Sequence, residues 1–409
     1  MSKKTLWIIN QYSSTPEFGY GGRSYYLGKE LVKLGYTVYI FASNNHHLLK
    51  RKPNFHGDYY EQNVEGLNFV WFNMPKYKDA RSKKRVYLWV KFAYKISKLN
   101  KYKFQKPDII LQTSPSPIPF LGAYSLSKKL NSKLIFEVRD IWPLTLIEIG
   151  GISKNHPFIK LLQWVEDFAY KKSDLVFSNL KFSWKHMVSR GMDKSKFRWI
   201  PNGFDKEEFD NPEPLDSNFL NNIPKNKFIV GYAGTIGISN NVESIVEVAD
   251  MLKNIEDIHF LVVGSGPSKI NIEEDARKRK LENITFLDPV EKSKVPSLYK
   301  TFDVCFLCMS DVQLNKFGTS LQKYFEYLAS GKPMLYAVNS PEFDYVEKYA
   351  AGYEVPSVNN LDISNAIFKL YNLPDKDIKQ MGINARKLAE NEFEYSMLAK
   401  KMDQYLKDL

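Results

Sequence analysis

Cysteine is almost missing: the 409 residues contain two, Cys305 and Cys308. They sit in the strand-like apolar run 303–309, and residues three apart on a strand point to opposite faces. A dithiol or a paired-thiol metal site is therefore excluded, and buried structural thiols are expected. Histidine is scarce too, with six residues and no His-Glu-x-x-His or His-rich tract, so no metal site is expected. No apolar run approaches the roughly 18 residues of a membrane span. The stretch 6–9 behind Lys3 and Lys4 is far too short for a signal peptide, so a cytoplasmic location is expected. A Walker lysine is lacking, which argues against a P-loop NTPase.

Positive charge is plentiful. Lys and Arg number 58 against 46 Asp and Glu, a net charge of +12, so the surface should attract nucleotide phosphates, an anionic membrane or nucleic acid. The densest basic segment is 81–106, where Val86, Trp89, Val90, Ala93 and Ile96 fall on one helical stripe. Two readings stay open: an amphipathic helix lying on anionic lipid, or a core-packed helix with a solvated basic face. No RNP-like or zinc-finger pattern accompanies the charge, so a basic nucleic-acid-binding protein is a weak alternative and no nucleic-acid partner is expected.

The length suggests two domains, and short apolar strands alternate with amphipathic helices throughout, the pattern of parallel sheets covered on both faces. Strands are expected at 5–9, 37–42, 108–112, 134–138, 175–178 and from about 197. The pattern restarts after the loop 210–216 with 228–232, 260–263 and 304–307. This gives an α/β chain of two doubly wound Rossmann-like domains, 1–205 and 206–377, and a helical tail 378–409 that could cross back to the first.

The loops that follow strands carry the chemistry. Phe317, Gly318, Thr319 and Ser320 lead into a helix expected over 319–330. Thr319 and Gln322 match a capping box, and Gly331 with Pro333 ends the helix. Gln322, Lys323 and Glu326 share one face. Either a diphosphate sits at the helix N-terminus by Lys323 with Glu326 accepting bonds from ribose hydroxyls, or Lys323 and Glu326 form a surface ion pair. Gly234-Thr235-Ile236-Gly237 and the turn holding Gly264 and Gly266 are further phosphate-loop candidates. Gly21, Gly22 and Arg23 open a helix after the first strand but fail as a dinucleotide fingerprint, because they come late and Asn44 stands where a ribose-binding acid is needed. In Glu137-Val138-Arg139-Asp140-Ile141-Trp142, Asp140 lies at a strand's carboxyl end, where it could orient an acceptor hydroxyl, take its proton, or cap an Asx turn.

Together these residues resemble the family 4 retaining glycosyltransferases of the GT-B fold, over nearly the whole chain, and within them the fucosamine transferase-like enzymes of bacterial surface polysaccharide assembly. The resemblance rests on Gly21-Gly22-Arg23, 106–111 with Thr113-Ser114-Pro115, 138–143, Ile200-Pro201-Asn202-Gly203, Gly264-Ser265-Gly266-Pro267 and 323–333. It implies two domains facing a central cleft and transfer, with retention, from a nucleotide-diphosphate sugar. UDP is favoured over GDP, and an N-acetylated deoxyhexosamine is one candidate sugar. The implied acceptor is an undecaprenyl-diphosphate-linked glycan of O-antigen or capsule assembly, at the inner face of the cell membrane. No metal or cofactor is implied. A nucleotide-sugar epimerase or hydrolase on the same scaffold is the enzymatic alternative. Glu326 matches the last Glu of the family's E-x7-E motif and would contact ribose, Lys323 would lie near the diphosphate, and Asp140 would position the acceptor beside Arg139, Trp142 and Asn202. This chain departs from the pattern at Gly318, in place of the first Glu, and at Thr235 and Asn240, where a basic pair is usual. Arg139 stands in place of a histidine. Arg23 or Arg139 would then have to help neutralise the phosphate.

Overall fold

The computed structural model describes residues 4–77, 84–99, 103–340 and 344–409. The chain divides into two compact units, Met1–Pro201 with Tyr395–Leu409, and Asn202–Glu394. In the first, strands β1 (Thr5–Ile9), β2 (Thr37–Ser43), β3 (Tyr59–Val64), β4 (Leu67–Phe72), β5 (Ile109–Thr113), β6 (Lys133–Val138), β7 (Leu175–Ser178) and β8 (Phe197–Trp199) form one sheet. Its order is β3-β4-β2-β1-β5-β6-β7-β8, parallel except for the β3–β4 hairpin. Every residue of β1, β5 and β7 is buried, as a parallel strand covered on both faces requires.

The second unit repeats the plan with six parallel strands, β9 (Phe228–Thr235), β10 (Ile258–Ser265), β11 (Ile284–Leu287), β12 (Val304–Cys308), β13 (Met334–Ala337) and β14 (Gly352–Val355), ordered β11-β10-β9-β12-β13-β14. Strand addition runs outward from β9 on one side and resumes at β12 on the other. The carboxyl ends of β9 and β12 thus meet at a reversal point, where α/β sheets bind ligands. Cys305 and Cys308 are both buried on β12, and burial pushes each thiol up to about 12.

Four sequence expectations need correction. The first unit closes at Pro201 rather than 205. The helix Asp375–Leu388 stays with the second unit, and only Tyr395–Leu409 joins the first. The hairpin β3–β4 and the four-residue strands β11, β13 and β14 escaped the pattern reading. The basic helix, Lys84–Ser97, buries Leu88, Trp89, Phe92, Ala93 and Ile96 but leaves Val90 exposed, so the expected stripe was rotated. Residues 81–83 and 100–102 of that basic segment lie outside the described residues. Its packing is close: a Cβ on Gly122 of helix Pro119–Leu130 would fall 2.1 Å from the carbonyl oxygen of Ala93. Among the described residues no helix is long and apolar enough to cross a membrane.

The terminal helix Tyr395–Lys407 is part of the first unit's core. Tyr395 stacks on Tyr26 at 5.1 Å, the Tyr36 hydroxyl donates to Asp403 at 2.9 Å, and Leu398, Met402 and Leu406 are buried. Truncation after Glu394 should therefore cost the first unit about 2 kcal/mol for each of those three side chains. The expected outcome in calorimetry is an early-melting first unit and an unchanged transition for the second.

Candidate functional site

At the reversal point of the second unit, β9 runs out into Ile236 and Gly237, and β12 leads through 309–321 into the helix Gln322–Ala329. Lys323 lies in that helix's first turn. Its Nζ donates to Tyr232 Oη at 2.8 Å and to Asn240 Oδ1 at 2.9 Å, and stands 4.3 Å from the centre of the Tyr232 ring. The Tyr232 hydroxyl and the Asn240 amide both donate to the Thr235 carbonyl, at 2.7 and 3.0 Å, tying the loop to the helix. Gly234 leaves the space this needs, since a Cβ there would sit 3.2 Å from Lys323 Nζ. Two neutral oxygens hold the ammonium, which has three N–H donors, so one is left for a ligand.

Lys323 and Glu326 form no ion pair. The Glu326 carboxylate instead accepts from the Tyr299 hydroxyl at 3.0 Å. Burial pushes Lys323 down to about 8, and burial lifts Glu326 above the usual carboxylate range despite the opposing pull of Lys292. A desolvated ammonium held only by neutral groups suits an incoming polyanion, which would restore its favoured charged state.

The neighbouring motif residues are mostly occupied. The helix starts at Gln322, later than expected, and has Leu321 as its N-cap with no side-chain cap bond, so the capping box is absent. Thr319 bonds the Tyr336 hydroxyl at 2.6 Å, and Gln322 Nε2 donates to the Gly203 carbonyl at 2.7 Å. Ser320 binds Asn202 twice, through its hydroxyl at 3.0 Å and its carbonyl at 2.7 Å. Asn202 therefore belongs to the second unit and braces the site loop. Phe317 is buried, and Gly318 has φ of 88°, a left-handed conformation in which a Glu would be strained. Gly264 and Gly266 act sterically: a Cβ at either would lie about 2 Å from the carbonyls of Gly234 and Ile236, at 1.9 and 2.1 Å. Gly237 is extended, a conformation open to any residue. Sequence reasoning missed Tyr232, whose signal was a lone tyrosine before Ala233-Gly234, and Arg386, which donates to the Ala329 carbonyl at 2.7 Å and places a cation at the helix's negative end.

In the first unit Arg23 is spent. Buried, it pairs with Glu137 Oε1 at 2.8 Å and donates to the carbonyls of Ile200, at 2.7 Å, and Pro201, so it is not available to a phosphate. Burial alone would raise Glu137, but Arg23 and Arg139 outweigh it and hold the carboxyl below its usual range. Gly21 and Gly22 set the start of the helix Gly22–Lys33 that carries Arg23 inward. Trp142 packs edge-on against Trp89 at 5.5 Å. Asp140 is exposed just past β6, and Arg139 Nε is buried without a hydrogen-bond partner. Gln11, Ser13 and Thr15 after β1, and Asn45 and His46 after β2, also carry buried polar atoms with no partner. Burial lowers His46 to about 4, so it is neutral near pH 7. These residues went unread because Asn, Gln and Ser after a strand look like ordinary loop. Among the described residues no group of three or more His, Cys, Asp or Glu could hold a metal ion.

Glu137→Ala would strand Arg23 as a buried unpaired charge, so a loss of about 3–5 kcal/mol is expected in chemical denaturation. Arg139→Ala removes the second, weaker cation acting on Glu137 and should cost less than Glu137→Ala in the same experiment.

Comparison with known proteins sets these units in a family. Residues 21–208 match the family described as Glycosyltransferase Family 4, and residues 216–388 match Glycosyl transferases group 1. The putative colanic acid biosynthesis glycosyl transferase WcaI of Escherichia coli is 26% identical over 203 residues, 48% of this chain and 50% of that protein. The probable glycosyltransferase WbjE of Pseudomonas aeruginosa is 22% identical over 308 residues, 72% and 74% of the two chains. The chain thus spans about half the length of the first relative and three quarters of the second. The fold matches sucrose-phosphate synthase from Thermosynechococcus elongatus with a TM-score of 0.74, at 17% identity over 99% of both chains. Anabaena HepE in complex with UDP matches with a TM-score of 0.68, at 14% identity over 99% of this chain and 100% of the other. With one family match on each of its two parallel-sheet units, the chain belongs to the family 4 glycosyltransferases and has their GT-B architecture.

Proposed function

We propose that this chain is a retaining, metal-independent glycosyltransferase that moves a sugar from a nucleotide-diphosphate donor, UDP-linked by preference, to an undecaprenyl-diphosphate-linked glycan in surface polysaccharide assembly. The observation that carries the donor reading is Lys323, a desolvated ammonium with a free N–H at the start of a helix on the reversal point of its sheet. UDP is favoured because fold neighbours were solved with UDP and UDP-glucose, and the polysaccharide-assembly part of the reading is supported by the likeness to a putative colanic acid biosynthesis glycosyl transferase. The sugar C1–phosphate oxygen bond breaks as the acceptor oxygen bonds C1 on the same face, and the acceptor's proton leaves with the nucleoside diphosphate. Lys323, the helix dipole and the loop amides stabilise charge on that leaving group. Glu326 would receive the ribose hydroxyls. Asp140 would orient the acceptor hydroxyl, and the unpartnered polar groups of Gln11, Ser13, His46 and Arg139 would serve acceptor hydroxyls.

Lys323→Ala should lower turnover by about 10²- to 10³-fold, the range for losing one charge-stabilising donor. Glu326→Ala should mainly raise the donor KM. Nucleoside diphosphate release from a donor panel with lipid-diphosphate acceptors measures both, and wild-type rates in both variants would overturn the assignment. An inverted product would remove the retaining mechanism. Donor conversion without acceptor would instead indicate an epimerase or hydrolase.

The protonated form of Lys323 is the one a diphosphate attracts, so UDP affinity should be level below about pH 7 and fall as pH rises through about 8. Lys323→Arg keeps its charge and should flatten that decline in titration calorimetry.

A further inference from the structure

On the first unit a cavity of about 740 Å³ opens beside the C-terminal half of the helix Lys84–Ser97 and is lined by Lys91, Lys95, Lys98 and Lys103. Among the described residues one carboxylate faces these four ammonium groups: Asp58 pairs with Lys95 at 3.2 Å, and its side chain is 90% exposed. Three of the lysines rest on rings, Lys95 at 5.9 Å from Phe72, Lys98 at 5.6 Å from Tyr94 and Lys103 at 4.2 Å from Tyr59. Lys91 has no acceptor in reach among the described residues. Aromatic support leaves an ammonium's charge in place while fixing its direction, so the lining has three positive charges more than it neutralises. Four like charges around one hollow repel one another, and a polyanion is the ligand that relieves this.

We propose that this cavity binds phosphate groups, as a second anion site independent of the donor site. Lysines act there as point charges around a phosphate or diphosphate. A lipid headgroup is the source the surface favours, because the same helix exposes Tyr87, Val90 and Tyr94, 59%, 53% and 62% accessible, next to the cavity. Aromatic rings flanked by lysines are suited to a membrane–water interface.

The test uses the full chain with two probes, inorganic pyrophosphate in titration calorimetry and co-sedimentation with phosphatidic acid or phosphatidylcholine vesicles. Lys91→Gln with Lys98→Gln should weaken pyrophosphate binding by about five-fold for each lysine removed. Asp58→Asn should tighten it, and opposite responses from two variants separate loss of the site from loss of the fold. Lys128→Gln with Lys129→Gln, on an exposed helix end elsewhere in this unit, should have little effect. Sedimentation with phosphatidic acid but not phosphatidylcholine, lost in the Lys91/Lys98 variant, supports both the site and its lipid source. Pyrophosphate binding without sedimentation supports the site and assigns it a soluble phosphate. Equal binding by wild type and the Lys91/Lys98 variant, or an equal loss in the Lys128/Lys129 variant, would overturn the proposal. None of these residues belongs to the donor site, so failure here would leave the transferase reading untouched.

Discussion

A parallel sheet delivers the carboxyl ends of all its strands to one edge, and the backbone amides and carbonyls there are not consumed by the next strand. In the second unit this constraint places two loops side by side. Thr235 is at the end of β9, and the turn into the helix Gln322–Ala329 follows β12. Everything at the site follows from that adjacency. Tyr232 and Asn240 can reach one carbonyl from opposite ends of the loop, and Lys323 can reach both of them. The glycines around it set the clearance: Gly264 admits the backbone of Gly234, and Gly234 admits the ammonium.

Positive charge in this chain is handled in three ways, and the difference lies in what surrounds it. Arg23 is buried, paired and bonded to two carbonyls, so its charge is a structural strut. Lys323 is desolvated but offered only dipoles, which holds its affinity for a proton low until an anion arrives. The lysines of the first unit's cavity gather around one hollow, three of them against aromatic rings, and their effect comes from number and crowding. A net charge of +12 therefore says little until each cation's neighbours are known.

The central strands were legible because a strand buried on both faces has to be an unbroken apolar run, and β1, β7 and β12 are such runs. The hairpin β3–β4 was not, since β3 lies at a sheet edge with polar residues Glu61, Gln62 and Asn63, and its turn uses Glu65-Gly66 rather than Asn-Gly. At the site, order and spacing marked Lys323 and Glu326, but a motif does not say which way a side chain is spent. Thr319, Ser320 and Gln322 hydrogen-bond within the protein, and Arg23 lies in a buried pair. Asn240 looked like a missing cation in the sequence, and in the structure it is the oxygen that aims the remaining one.

The helix Tyr395–Lys407 is made only after the whole of the second unit, yet it fills the core of the unit whose strands are made first. A nascent chain that has delivered β1 to β8 still lacks the cover for Tyr26, Leu31 and Tyr36, which stay wet until that helix emerges. The second unit is contiguous in sequence and has all its own parts before the ribosome reaches Tyr395. In this protein the later-made unit can complete its core first, and a premature stop in the helix Tyr395–Lys407 leaves the other half open rather than merely shorter.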